Sequence, residues 1–442
     1  MKFKKLRIAI HEMRGVTSSA IGVLLTKILG AGLAFVSQIL FARIMGIHQY
    51  GVYAVIWTWL GILALSAEMG LGQTVVKYIA IYSERNQWAY MKGLIRKATS
   101  LVISTGIIVA IIAGIILWML GSSVDDQFRS AFYVGLAAIP LLALLSIRCA
   151  ILQGFKFAVL AQLPNDIVRV VATATIALFA SWGLGVQLSA TLMIAISISA
   201  LLIAHVAGYS FQVAILPINV KQAVVTYETR EWIKTAVPIL FIAGTFSIMS
   251  STDVIMLGAL TGVENAAKYS VTARIITLIS FGLAAVNMVV APHIARLYSN
   301  RCLEEMRHLI KFSTRGVFAY TFLVVIMLLI AGQKLLILFG SEFVDGYSAL
   351  LILLGGQLVN AFCGSVGVLM TMTGHQLEAA KVYITAAILN IFLNVLFIPP
   401  FGIEGAAAAT ALTTIFWNLV LLMRVRKKIS VDPTILGSHP NI

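Results

Sequence analysis

Four ionisable residues, Lys27, Glu68, Asp253 and Arg274, stand deep inside long apolar runs. A charge at the centre of a bilayer costs roughly 2.5 to 3.5 kcal/mol on insertion scales, so each needs an interior partner, a wet cavity or an escape to the interface. Lys27 and Glu68 lie equally far in sequence from the Ile47/His48 turn, and Asp253 and Arg274 flank Val263 in the same way. Antiparallel hairpins would bring the members of each pair to one depth. Two readings of this spacing stay open: buried ion pairs that fix helix packing, or a charged cavity wall. In the second, Asp253 and Glu68 are the acids suited to proton or sodium coupling.

Other charges are easier to accommodate. Arg43 and Arg148 sit near helix ends, where a long side chain can reach the interface, and both stand as further basic candidates for a cavity wall. Asp166 and Arg169 are spaced i, i+3 and can neutralise each other on one helix face. His205 reads as a hydrogen-bonded packing residue or a proton shuttle, and Pro140 as a bend. No residue set reads as catalytic. The sequence has no phosphate-cradling Gly-rich Walker loop, HExxH or CxxC motif. Cys149, Cys302 and Cys363 are isolated, so neither a disulfide framework nor a metal site is expected. The expectation is a protein that is not an enzyme and carries no cofactor.

The elements that must position these residues follow from composition. The chain has 442 residues, 60% hydrophobic and 11% charged, and its mean hydropathy is +0.97. Soluble domains carry about 25% charged residues, so ordinary soluble enzymes and disordered scaffolds are excluded. The net charge of +15 comes from basic residues between apolar segments rather than from one soluble face, which argues against nucleic acid as a partner. Hydropathy predicts an all-α integral membrane protein with twelve transmembrane helices, at residues 18–44, 51–72, 98–120, 130–152, 164–182, 188–212, 235–258, 268–293, 314–337, 347–372, 381–398 and 404–424. With the N-terminus inside, the outer loops hold only Arg129 and Lys268 against Asp125, Asp126, Glu264, Glu342, Asp345 and Glu404, so both termini are expected in the cytoplasm. Residues 1–17 read as a basic amphipathic segment on the membrane surface, 213–234 as a cytoplasmic linker between six-helix lobes at 18–212 and 235–428, and 429–442 as a flexible tail.

An internal repeat fits this division. Gly46, Tyr53 and Val55 precede Gly262, Tyr269 and Val271 by 216 residues, Gly154 precedes Gly374 by 220, and Gly183, Ala190 and Thr191 precede Gly402, Ala409 and Thr410 by 219. Six helices per half is even, so the halves enter from the same side as parallel repeats, with a cavity between them as the expected substrate site. The repeat is chemically unequal at the charges, because Ser37 and Thr58 stand where the second half has Asp253 and Arg274.

The run GIHQYGVYAVIWTWLGILALSAEMGLGQTVVKYIA (46–80) resembles the first hairpin of polysaccharide-biosynthesis membrane proteins, the lipid-linked oligosaccharide flippases. DVIMLGALTGVENAAKYSVTARI (253–275) and GHQLEAAKVYITAAILNIFLNVLFIPPFGIEGAAAATAL (374–412) are similar to the same family, within the multidrug/oligosaccharidyl-lipid/polysaccharide exporter superfamily. The resemblance implies a V-shaped alternating-access transporter that carries an undecaprenyl-pyrophosphate-linked oligosaccharide across a bacterial inner membrane, for O-antigen or exopolysaccharide assembly. It implies a cationic cavity, with Arg274 as the position carried over, since a guanidinium grips phosphate oxygens in a fork. Lys27 would share that role. Expected partners are the lipid-linked glycan, membrane lipids, a polysaccharide polymerase and a chain-length regulator. The rival readings are an ion-coupled drug or metabolite antiporter of the superfamily, and a membrane glycosyltransferase, polymerase or ligase acting on the same lipid-linked glycan.

Overall fold

The computed structural model describes residues 2–121 and 124–437, with side chains from residue 22 onward apart from that of Ile242. The side chains of the expected amphipathic segment at 1–17, and the end of the expected tail at 438–442, lie outside the described residues. Helices account for nearly all of the described chain, and ten of those described are long and apolar enough to cross a membrane.

In chain order the α-helices are α1 (Lys2–Glu68), α2 (Leu71–Glu84), α3 (Trp88–Leu120), α4 (Asp126–Gly135), α5 (Ala138–Gly154), α6 (Ala158–Gly183), α7 (Ala190–Ile215), the short α8 (Ile218–Gln222), α9 (Thr229–Leu260), α10 (Val263–Ser299), α11 (Leu303–Ile337), α12 (Tyr347–Cys363), α13 (Val366–Met372) and α14 (Gln376–Ile429). Two helices are interrupted inside: Gly46 of α1 has φ 73° and ψ 166°, and Gly402 of α14 has φ 55° and ψ −125°. Those dihedrals are open only to glycine at low cost. Helix α6 widens into π turns at Leu163–Val168, where Pro164 has no amide hydrogen to give, and again at Phe179–Gly183.

The chain forms two compact units, Met1–Gln49 with Ile56–Gly244, and Tyr50–Val55 with Thr245–Ile442. In the first, α2 and α3 pack on α5, which also packs on α7. Gly106 of α3 admits Pro140, whose Cα would stand 2.7 Å from an added Cβ. Pro140 falls just inside the start of α5, where a missing amide hydrogen is tolerated, so the bend lies between Gly135 and Ala138. The segment 216–236 is tied to this unit. Lys92 Nζ donates to the carbonyls of Lys221 and Ala223 at 2.7 and 2.8 Å, and the Thr226 amide donates to Ala89 O at 3.2 Å. The Tyr82 hydroxyl donates to Glu228 at 2.7 Å and accepts from Trp232 Nε1 at 3.0 Å. Burial and the Glu228 carboxylate hold the Tyr82 hydroxyl well above its ordinary pKa.

In the second unit α12 packs along α14 and α11 along α10. One apolar cluster there gathers Ile294, Met306, Cys363, Met370 and Val425, each at most 2% exposed. The chain after Lys428, read from sequence as a loose tail, packs here through its described part: Val431 and Thr434 are buried, Arg426 pairs with Asp432 at 2.8 Å, and the Ile435 amide donates to Phe362 O at 3.3 Å.

Four helix corners share one construction. Asn86, Lys156, Arg301 and Gly374 have φ of 55°, 68°, 57° and 86°. The next residue in each case, Gln87, Phe157, Cys302 or His375, donates its amide five residues back, at 2.9, 3.1, 2.9 and 2.8 Å. The left-handed residue itself donates three residues back. Together these bonds form a Schellman cap, which satisfies carbonyls that a helix end leaves open.

Candidate functional site

Asp253 is the most elaborately partnered charge. It lies on α9, 3% exposed. Tyr269 of α10 donates its hydroxyl to Oδ2 at 2.5 Å, and Thr410 of α14 donates to the same oxygen at 2.5 Å. Asn394 Nδ2 donates to Oδ1 at 2.7 Å and to Asn390 Oδ1 at 3.1 Å, and Asn390 Nδ2 reaches Thr410 at 3.3 Å. The elements explain the convergence: Asn390 and Asn394 are i, i+4 on one face of α14, and Thr410 returns to the same depth beyond the Gly402 break. Asn394 Oδ1 is buried with no donor in reach. The site therefore gathers a carboxylate, two amide oxygens and two hydroxyl oxygens, with one acceptor unused. An all-oxygen set with a single negative charge suits a proton or a hard monovalent cation.

The expected pair of Asp253 with Arg274 is not formed, because neutral donors occupy the carboxylate and Arg274 turns elsewhere. Its guanidinium donates to the Tyr50 hydroxyl, and its Nε is buried without a partner. Tyr50 is fully buried, packed edge-on to Phe343 with ring centroids 5.9 Å apart.

The expected Lys27–Glu68 pair is likewise absent among the described residues. Glu68 Oε1 accepts the Gly72 amide at 3.1 Å, and Ser146 also bonds the carboxylate. Met69 and Gly70 turn the chain with φ of 54° and 71°, so Glu68 reaches back over the first turn of α2. A carboxylate on the orphan amides of a helix start is a stabilising cap, and that is the work the geometry gives Glu68. Lys27 is exposed on α1.

The remaining candidates divide. Arg148 donates to Gln212 at 3.1 Å and lies over the Tyr209 ring at 4.9 Å, again with Nε unpartnered. Asn165 bridges Asp166 and Arg169, donating to the first at 2.8 Å and accepting from the second at 3.1 Å, while Arg169 stacks on Trp57 at 5.9 Å. Arg43 lines an open hollow of about 510 Å³ with Val36, Leu40 and Trp182. His205 Nε2 meets Leu141 O at 2.9 Å. Sequence reasoning missed Tyr50, Tyr269, Asn390 and Asn394. The two asparagines four apart in an apolar run were the available signal.

Asp253 and Glu68 are thus held by neutral donors, and Arg148 and Arg274 have no acid partner among the described residues.

The family model for polysaccharide biosynthesis proteins matches residues 16–298. The chain belongs to that family. Among its relatives, the probable low-salt glycan biosynthesis flippase Agl15 of Haloferax volcanii is 25% identical over 406 residues, covering 89% of this chain and 80% of that protein. An uncharacterized membrane protein of Methanocaldococcus jannaschii is 22% identical over 432 residues, covering 90% and 80%. The fold is that of MOP superfamily transporters. An inward-facing multidrug resistance MATE transporter superposes with a TM-score of 0.75 at 15% identity, covering 93% of this chain and 98% of that one. A MOP superfamily transporter from Pyrococcus furiosus, described by the reverse polarity of its binding pocket, gives 0.66 at 15% identity over 93% and 95%. The chain is thus a multi-pass membrane protein of the polysaccharide biosynthesis family with the fold of MOP superfamily transporters.

Proposed function

We propose that this polysaccharide biosynthesis protein translocates a lipid-linked oligosaccharide by alternating access, with Lys27 and Arg274 attracting the pyrophosphate and Arg148 and Arg43 as further cationic contacts. The observation that carries the reading is the absence of acid partners for Lys27, Arg274 and Arg148 among the described residues, in a family where a glycan flippase is a relative. Uncompensated cations favour an anionic cargo over the cationic drugs of the rival antiporter. The finer form of the proposal is an undecaprenyl-pyrophosphate carrier in a bacterial inner membrane, both termini cytoplasmic, feeding O-antigen or exopolysaccharide assembly beside a polymerase and a chain-length regulator. Asp253 and its oxygen cluster are the proposed coupling site for a proton or sodium ion.

The proposed architecture is twelve crossings in two six-helix parallel repeats. An unbroken helix of 47 residues, the length of Gly22–Glu68, would be about 70 Å long against a hydrocarbon core of roughly 30 Å, so a break at Gly46 fits two crossings, and Gly402 divides α14 in the same way. Support for the repeat comes from the left-handed positions. Gly46, Asn86, Gly121, Lys156 and Gly185 recur as Gly262, Arg301, Gly340, Gly374 and Gly402 at offsets of 215 to 219 residues, which moves the partners of Gly374 and Gly402 two residues on from the Gly154 and Gly183 matched by sequence.

The test is a proteoliposome assay with a fluorescent lipid-linked glycan. Wild-type protein should move it between leaflets without covalent change, and the Lys27→Ala/Arg274→Ala double variant should not, at equal protein level. Full transport by the double variant rejects the charge assignment, and new glycosidic bonds would favour the enzyme reading.

A further inference from the structure

The first unit carries a groove for which the transport reading has no use. It encloses about 840 Å³ between α3 on one side and Leu216 and α8 on the other. One end holds three cations, Lys92, Arg96 and Lys221, and the rest is mainly apolar surface of residues such as Ile103 and Ile107, with Thr99, Ser100 and Ser104 among them. Lys92 and Lys221 are held by backbone carbonyls, so both ammonium groups are placed without losing charge. Arg96 is exposed, and none of the three has an acid partner among the described residues.

The dimensions and the surroundings point to one kind of occupant. The fifteen steps from Lys92 to Ile107 span roughly 22 Å of helix, the depth of one leaflet from headgroup to midplane. Beyond Ile107 the same helix continues as an exposed isoleucine stripe, Ile108, Ile111, Ile112, Ile115 and Ile116, each 51 to 56% exposed. An open groove that is cationic at the membrane surface and merges with such a stripe matches a molecule that is anionic at its head and apolar along its length. A soluble phosphate would use only the mouth. We infer that the groove binds one anionic glycerophospholipid, its phosphate at Arg96 with Lys92 and Lys221 and one acyl chain along Ile103 and Ile107.

The experiment uses the purified full-length protein in detergent, titrated with phosphatidylglycerol or phosphatidylcholine of equal chain length and read by native mass spectrometry. Wild-type protein should retain one phosphatidylglycerol at least about fivefold more tightly than phosphatidylcholine. Arg96→Ala should remove about a fivefold share of that preference, Ile103→Trp should displace the lipid by filling the floor, and both should keep the wild-type melting curve. Inorganic phosphate should not compete. Equal retention of the two lipids overturns the proposal, as does indifference to both substitutions. Displacement by polyprenyl phosphate but not by phosphatidylglycerol would give the groove to the cargo instead. Failure of glycan transport leaves these outcomes unaffected, so the two readings fail separately.

Discussion

At the scale of single residues, the decisive fact is that charges expected to cancel one another are separated and solvated by neutral groups. A buried carboxylate left with only neutral donors keeps an unspent interaction for a mobile cation, whereas a salt bridge would have spent it. Asp253→Asn should therefore keep the fold, measured by thermal melting in detergent, and abolish any dependence of transport on a sodium or proton gradient. Asp253→Ala is different. It takes the acceptor from the Tyr269 and Thr410 hydroxyls and leaves the Asn394 amide only its bond to Asn390, at about 3 kcal/mol of stability by chemical denaturation. The importance of Asp253 was legible in the sequence because a lone acid in an apolar run needs a reason. Its partners were not, since equal depth in a hairpin fixes height along the membrane but not azimuth around the helix. Arg274 and Asp253 met the first condition and failed the second. The same limit explains Glu68: its partner is the Gly72 amide four residues on, which a search for opposite charges cannot find.

At the scale of elements, glycine does two separable jobs. An added Cβ at Gly93 would meet Thr226 O at 1.8 Å, so Gly93→Ala should release the 216–236 segment and cost more than about 2 kcal/mol, seen as protease cutting near Thr226. At Gly46 a Cβ meets nothing within 4 Å, and Gly46→Ala should cost only the backbone term, about 1 to 3 kcal/mol, with no local cleavage. The Schellman corners give a prediction of the opposite sign. Lys156 and Arg301 hold left-handed backbone that favours glycine, so Lys156→Gly and Arg301→Gly should each raise stability by about 1 kcal/mol in melting experiments. Hydropathy located the long helices well. The gaps it leaves at 45–50 and 399–403 contain Gly46 and Gly402, whose dihedrals are not helical, so the interruptions of α1 and α14 fall where the apolar runs pause.

For the molecule as a whole, parity decides the reading. If α1 crosses twice, its N-terminal end and the Asn86 corner lie on one side of the membrane, and if it crosses once they lie on opposite sides. Cysteines placed at Lys5 and at Asn86 should label from the same face in spheroplasts, and labelling from opposite faces would refute twelve crossings. The class of the molecule was plain from composition alone, because 11% charge cannot clothe a soluble surface of this size. Which residues belong to which half was not, because burial is a property of three-dimensional neighbours. Tyr50–Val55 shows this: six residues of the first hairpin, with Tyr50, Val52 and Val55 at most 3% exposed, cluster with the second unit. A gene divided at Gly244 would thus encode a C-terminal polypeptide lacking the phenol that greets its own arginine. Neither fragment alone would inherit a finished interior, and only their joint synthesis could return Tyr50 to Arg274 and Phe343.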